Sequence, residues 1–175
     1  MRKKSGSFIH LLTGSILLAV FLFSANIVVG QTIKMKIPSF TGLPADGEDI
    51  IAFEVSDTQF VSTGGGGGGS AGKTTFEFAK IKKQNSASTN ELWKRSLNGQ
   101  HTTEVQFEFY NSSNVLFYKI VLKDFTVNHF SYLSPECTNC PRLFHQVWFD
   151  YGKIEVTDVA TGNTVKFDKQ ANATY

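Results

Sequence analysis

Glu104-Val-Gln-Phe-Glu-Phe-Tyr110, the turn Asn111-Ser-Ser-Asn114, and Leu116-Phe-Tyr-Lys-Ile-Val-Leu-Lys-Asp-Phe125 decide the fold. In the first run Val105, Phe107 and Phe109 alternate with Glu104, Gln106 and Glu108. In the last, Leu116, Tyr118, Ile120 and Leu122 share one face, and Lys119 and Lys123 lie on the other. Successive side chains of a strand point to opposite faces, so a period of two is the signature of a strand with one buried side. The polar turn joins the two runs into a long antiparallel hairpin. Glu104, Glu108, Lys119 and Lys123 are expected on its solvated or subunit-facing side, where opposite charges across the strands add modest stability.

The same period continues on either side of the hairpin. Downstream, the second strand runs on through Phe130 with a kink. After a loop from Ser134 to Arg142, Val147, Phe149 and Tyr151 alternate with Gln146, Trp148 and Asp150. The phase then flips at Gly152 to Ile154 and Val156, which signals a bulge. Thr161-Gly162-Asn163 turns into a last strand carrying Val165 and Phe167, and the tail from Gln170 is polar. Upstream, Ile33 to Ile37 is a short strand ended by Pro38. Ile50 to Phe60 is a second, with Ile51, Phe53 and Val55 on one face. Phe76 to Lys82 is a third, in which Ile81 falls out of phase, a bulge or strand-end signal. One helix interrupts the pattern. Ser88-Thr-Asn-Glu91 matches a capping box, Leu92, Trp93, Ser96 and Leu97 follow at helical spacing, and Asn98-Gly99 supplies the stop. About ten residues are too few for a stable isolated helix, so it is expected to dock on the sheet through Trp93 and Leu97.

Seven or eight mostly antiparallel strands and one short helix make a mainly β chain. The expected architecture is a small antiparallel β-barrel of two packed sheets, because closure removes exposed edges. The 16 phenylalanines point the same way, since aromatic and β-branched residues suit a pleated, half-buried surface. A chain of 175 residues holds one domain with a real core.

Residues 1–30 stand apart. Arg2, Lys3 and Lys4 precede an apolar run from Ile16 to Val29, and the small residue Gly30 lies just before Gln31. This is the pattern of a secretory signal peptide, and the run is short for a membrane span. The expected domain is therefore residues 31–175, exported to the periplasm or the outside with no stable membrane anchor after cleavage. Beyond Gly30 there are 14 basic and 15 acidic residues, so the mature chain carries a net charge of −1. The basicity belongs to the leader and lends no support to nucleic-acid binding.

Few motifs carry chemistry. Gly67-Gly-Gly-Ser-Ala-Gly-Lys73-Thr74 fits the pattern of a phosphate-binding loop, but that loop requires a helix starting at the lysine. Here Thr75-Phe-Glu-Phe-Ala79 has the period of a strand. Six consecutive glycines, Gly64 to Gly69, are costly to order, so residues 64–72 read as a flexible loop. Cys137 and Cys140 lie in one loop, and export favours a local disulfide over free thiols or redox or metal chemistry. His129 and His145 flank that loop, and polar strand-edge roles suit them better than a joint site. The sequence thus offers no catalytic, cofactor-binding or metal residues, and no enzyme activity or cofactor is expected.

Several strings, in order, resemble the hemolysin-coregulated protein (Hcp) family of bacterial type VI secretion. They are Asp49-Ile-Ile-Ala-Phe-Glu-Val55, Gly72-Lys-Thr-Thr-Phe-Glu-Phe78, Ile81-Lys-Lys83, Glu91-Leu-Trp93, Val105-Gln-Phe-Glu-Phe109, Tyr118-Lys-Ile-Val-Leu-Lys-Asp124 and Phe149-Asp-Tyr-Gly-Lys-Ile-Glu155. The last two are the most specific. The resemblance spans Ile33 to Phe167. It implies a barrel of two packed sheets with a helix on its side. It also implies a homo-hexameric ring that stacks into a tube, with other secretion-system components as partners and, in some family members, secreted effectors in the lumen. The leader departs from that family, whose tube subunits lack a cleavable signal. The alternative function is an exported monomeric β-barrel that binds a ligand or surface partner.

Overall fold

The hairpin is the spine of the protein. A computed structural model describes residues 31–61, 71–133 and 143–175. The leader at 1–30, most of the glycine-rich loop at 64–72, and Cys137 and Cys140 lie outside the described residues. In chain order the elements are β1 (Thr32–Lys36), β2 (Glu48–Glu54), β3 (Asp57–Val61), β4 (Ala71–Phe76), β5 (Ala79–Gln84), α1 (Thr89–Asn98), β6 (Thr102–Tyr110), β7 (Leu116–Leu133), β8 (Phe144–Asp158), β9 (Thr164–Asp168) and β10 (Ala173–Thr174).

β6 and β7 pair with Val105 opposite Leu122, Phe107 opposite Ile120 and Phe109 opposite Tyr118. The inward faces read from the alternation therefore coincide. β8 pairs antiparallel along β7, with a register shift between Val127 and His129. The sheet then runs β8-β5-β2-β1-β6-β7 and closes because β7 also bonds β8. Six strands in a ring leave no open edge between them. β9 and β10 extend the far end of β8, and β3 and β4 form a separate ribbon.

That ribbon explains why more strands are found than the alternation suggests. Ile50–Phe60 divides after Glu54 into β2 and β3, and Phe76–Lys82 divides at Glu77 and Phe78 into β4 and β5. The phase change at Ile81 is this break. A second correction concerns Ile51, which is 47% exposed, while Ile50 is buried and Phe53 and Val55 pack on the core. The register shifts between Ile50 and Ala52, so one residue is skipped and Ile50 and Phe53 both face inward.

The interior is aromatic. Phe107 of β6 meets Phe53 of β2 at 4.5 Å and Phe149 of β8 at 6.0 Å, joining opposite walls of the barrel. Phe125 meets Phe149 edge-on at 5.3 Å, a favoured ring geometry.

α1 packs on β7. Gly99 ends it at φ 60° with its N–H on the Arg95 carbonyl, as the Asn-Gly stop requires. The docking differs from expectation. Leu92 is fully buried, whereas Trp93 is 42% and Leu97 69% exposed. Trp93 meets Tyr132 of β7 edge-on at 5.9 Å. The start of α1 differs too. The Ser88 side chain makes no capping bond, so the capping box does not form.

Candidate functional site

The Ser88 hydroxyl is engaged elsewhere. Glu48 opens β2 two residues before the inward Ile50, and Lys83 lies two residues beyond the inward Ile81 on β5. The alternation that buries the two isoleucines carries both charges inside. Lys83 is 0% and Glu48 5% exposed. The Lys83 ammonium lies 3.4 Å from Glu48 Oε2 and donates to Thr89 Oγ1 at 3.1 Å and to the Ser86 hydroxyl. Glu48 accepts from Ser86 Oγ at 2.8 Å, the Ser88 backbone N–H at 2.8 Å and Ser88 Oγ at 2.5 Å. A carboxylate from a distant strand thus holds the entry to α1.

An interior ion pair survives only when the remaining donors and acceptors are also satisfied, and the serines and Thr89 do this. Burial pushes the Glu48 carboxyl up, but hydrogen bonds from Ser88 and Ser86 and the charge of Lys83 outweigh it and hold it below 4.5. Burial pulls the Lys83 ammonium below 10.5 against the attraction of Glu48. Alternation alone misses this pair: it groups Ile51 with Phe53 and Val55, which would turn Glu48 outward, and only the register shift between Ile50 and Ala52 sets Glu48 and Ile50 inward.

His145 lies against the pair. It is the β8 partner of Lys83 in register and is 1% exposed. Its ring packs on Phe130 at 5.3 Å and Tyr132 at 4.9 Å, and among the described residues neither ring nitrogen has a hydrogen-bond partner. Burial first, then the charge of Lys83, holds its pKa below 6.5. His129 is exposed and packs on Trp148 at 4.7 Å. Residues 145 and 148 lie on opposite faces of β8, so the two histidines do not form a joint site.

The hairpin charges follow the expected register, with Glu104 opposite Lys123 and Glu108 opposite Lys119. The ion pairs of Glu108 and Lys123 nonetheless leave the hairpin. Glu108 bonds Lys36 of β1 at 2.7 Å and accepts from the Tyr110 hydroxyl at 2.7 Å. Lys123 bonds Glu155 of β8 at 2.5 Å. Glu108 is only 7% exposed, which corrects its expected place on the solvated or subunit-facing side of the hairpin. Closure sets a neighbouring strand on each side of the hairpin, and those strands supply the nearer partners.

Two apolar surfaces face outward. One is carried by Trp93 and Leu97 of α1 with Tyr132 of β7, which is 50% exposed. The other is a groove of 270 Å³ lined by Val55, Phe76, Ile154, Val156, Val165 and Phe167, among others. Val165, at 63% exposure, stands on its rim.

The described part of the phosphate-loop match is strand: Ala71 to Thr74 belongs to β4, paired with β3 where a nucleotide site would need a helix. Among the described residues no cluster of His, Cys, Asp and Glu is arranged for a metal ion, and no helix is long and apolar enough to cross a membrane.

Comparison with known proteins adds the following. Residues 46–157 match the family model described as "Type VI secretion system effector, Hcp". No curated protein matches the chain. Among solved structures, one described as a type six secretion system protein aligns with a TM-score of 0.71 at 13% identity, covering 82% of this chain and 99% of that one. Hcp1 from Salmonella typhimurium aligns with a TM-score of 0.67 at 16% identity, covering 83% and 99%. A chain of the six-fold symmetrised anti-feeding prophage baseplate aligns with a TM-score of 0.53 at 15% identity, covering 74% and 93%. At these identities the structures establish a shared fold, and the family model establishes kinship. The two most family-specific strings, Tyr118–Asp124 and Phe149–Glu155, lie side by side on β7 and β8.

Proposed function

The chain belongs to the Hcp family of type VI secretion proteins, and from that premise we propose that it is a structural subunit whose barrels associate into six-membered rings that stack as a tube. The observation that carries this reading is the closed six-strand barrel, built largely within the stretch matched by the family model. A ring requires a heterologous contact, in which one patch of a subunit meets a different patch of the next. The α1 surface of Trp93, Leu97 and Tyr132 and the groove beside Val165 are two such patches. The six-fold symmetry named for the prophage baseplate supports the ring order.

A structural rather than catalytic role suits the buried charges, since Glu48 and Lys83 are committed to each other and to the entry of α1. The ring lumen is the place for secreted effectors. The leader delivers the domain across the inner membrane, and a disulfide between Cys137 and Cys140 suits that compartment. Fusion of residues 1–30 to an export reporter tests the leader, and native thiol counting tests the disulfide.

Size-exclusion chromatography with light scattering on residues 31–175 tests the assembly. A mass near six subunits is expected. A clean monomer across micromolar concentrations would overturn the ring and leave a monomeric exported barrel with a ligand groove.

A further inference from the structure

We propose that His145 is the trigger of an acid-sensitive latch: neutral, it seals the Glu48–Lys83 anchor of α1, and protonated, it sets a second positive charge against Lys83 and releases the helix from the barrel. The geometry supplies each part. Lys83 and His145 face each other across β5 and β8, and both are buried. Among the described residues Glu48 is the one carboxylate bonded to Lys83, and its oxygens also hold the Ser86 and Ser88 side chains that lead into α1. With His145 neutral the three groups sum to zero charge. With His145 protonated they carry one uncompensated positive charge in a site closed to solvent, which is costly.

Among the described residues the surroundings provide no second anion. β7 presents Phe130 and the neutral phenol of Tyr132 to the imidazole. α1 and its lead-in present the Thr89 hydroxyl to Lys83, while the Glu91 carboxylate is bonded to Arg95. Lys83 is the charged group whose field acts on His145.

The release has an optical path. His145 packs on Tyr132, and Tyr132 packs on Trp93 of α1. Trp148, the other tryptophan, stacks on Phe78 away from this cluster. In the full chain carrying Trp148→Phe, the emission of Trp93 is followed from about pH 7.5 to about pH 5, the span of histidine titration. A red shift is expected while the far-ultraviolet β signal stays constant. Adding His145→Gln is expected to abolish the shift. A shift that persists in that variant, or no shift in its parent, would overturn the latch.

Should His145→Gln fail to fold, proton NMR of the Trp148→Phe chain with His10, His101 and His129 replaced by Gln decides the matter. An imidazole that titrates in step with the Trp93 indole signal supports the latch. An imidazole that does not titrate, or that titrates while Trp93 stays fixed, overturns it. Because Trp93 also lies on a patch assigned to the ring contact, light scattering follows the mass through the same titration: a shift at constant mass supports the latch, a shift that appears only with a change of mass overturns it, and the mass at about pH 7.5 judges the ring separately.

Discussion

Asp124 of β7 lies across from Gly152 of β8, and the two mark one bend shared by the longest strands of the barrel. They fall between the Lys123–Lys153 and Phe125–Tyr151 pairs. Asp124 adopts φ 52°, and a Cβ on Gly152 would come within 3.4 Å of the Asp124 Cβ. Both strands skip a residue here. The buried phase passes from Leu122 to Phe125 on β7 and from Tyr151 to Ile154 on β8. Matched skips keep the pair in register through the bend.

Substitutions at this bend should follow its geometry. Asp124→Val places a β-branched residue at positive φ and is expected to cost about 1–3 kcal/mol in urea unfolding. Asp124→Asn should be close to neutral, because Asn tolerates that conformation. Gly152→Ala meets only ordinary contacts and should cost less than about 1 kcal/mol, whereas Gly152→Val should cost about 1–3 kcal/mol by overpacking. A wild-type midpoint for Asp124→Val would refute this account of the bend.

The buried ion pair should be far more sensitive to losing one partner than to losing both. Glu48→Gln leaves Lys83 charged and buried, an expected loss of about 3–5 kcal/mol. The double variant Glu48→Leu with Lys83→Met removes both charges and should recover most of that loss. A double-mutant cycle in urea measures the coupling, and additive losses would count against it.

Stability should decline with acid in two stages. The pKa of His145 is depressed in the folded state, so its contribution is complete above 6.5 and is lost as pH falls below that value. Glu48, Glu108 and Glu155 are each held below 4.5 despite burial, by Ser88, Lys36 and Lys123 respectively among their partners. Their contributions are present above 4.5 and are lost as pH falls through the lowered folded values. Urea midpoints measured against pH should show both stages, and His145→Gln should remove only the first.

Association should respond where stability does not. Leu97 and Val165 are largely exposed, so Leu97→Asp and Val165→Asp should leave the urea midpoint within about 0.5 kcal/mol. If each anchors the contact between copies, a loss of about 2 kcal/mol weakens self-association about thirtyfold. Light scattering across a dilution series reads this directly, and unchanged masses in both variants would move the contact elsewhere on the barrel.

Alternation determined the hairpin, the inward faces of β6, β7 and β8 and the phase change at Gly152, and the Asn98-Gly99 stop determined the end of α1, because those signals are local to one element. Only the tertiary structure decided where Ile50–Phe60 breaks into two strands, why Leu92 docks α1 instead of Trp93 and Leu97, and why Ser88 bonds Glu48 instead of its own helix. Each of these depends on a partner 19 to 40 residues away or on the surface beneath a short helix. A period reports which side chains share a face, whereas closure of the sheet sets what that face meets, and so it was closure that brought Glu48, Lys83 and His145 together.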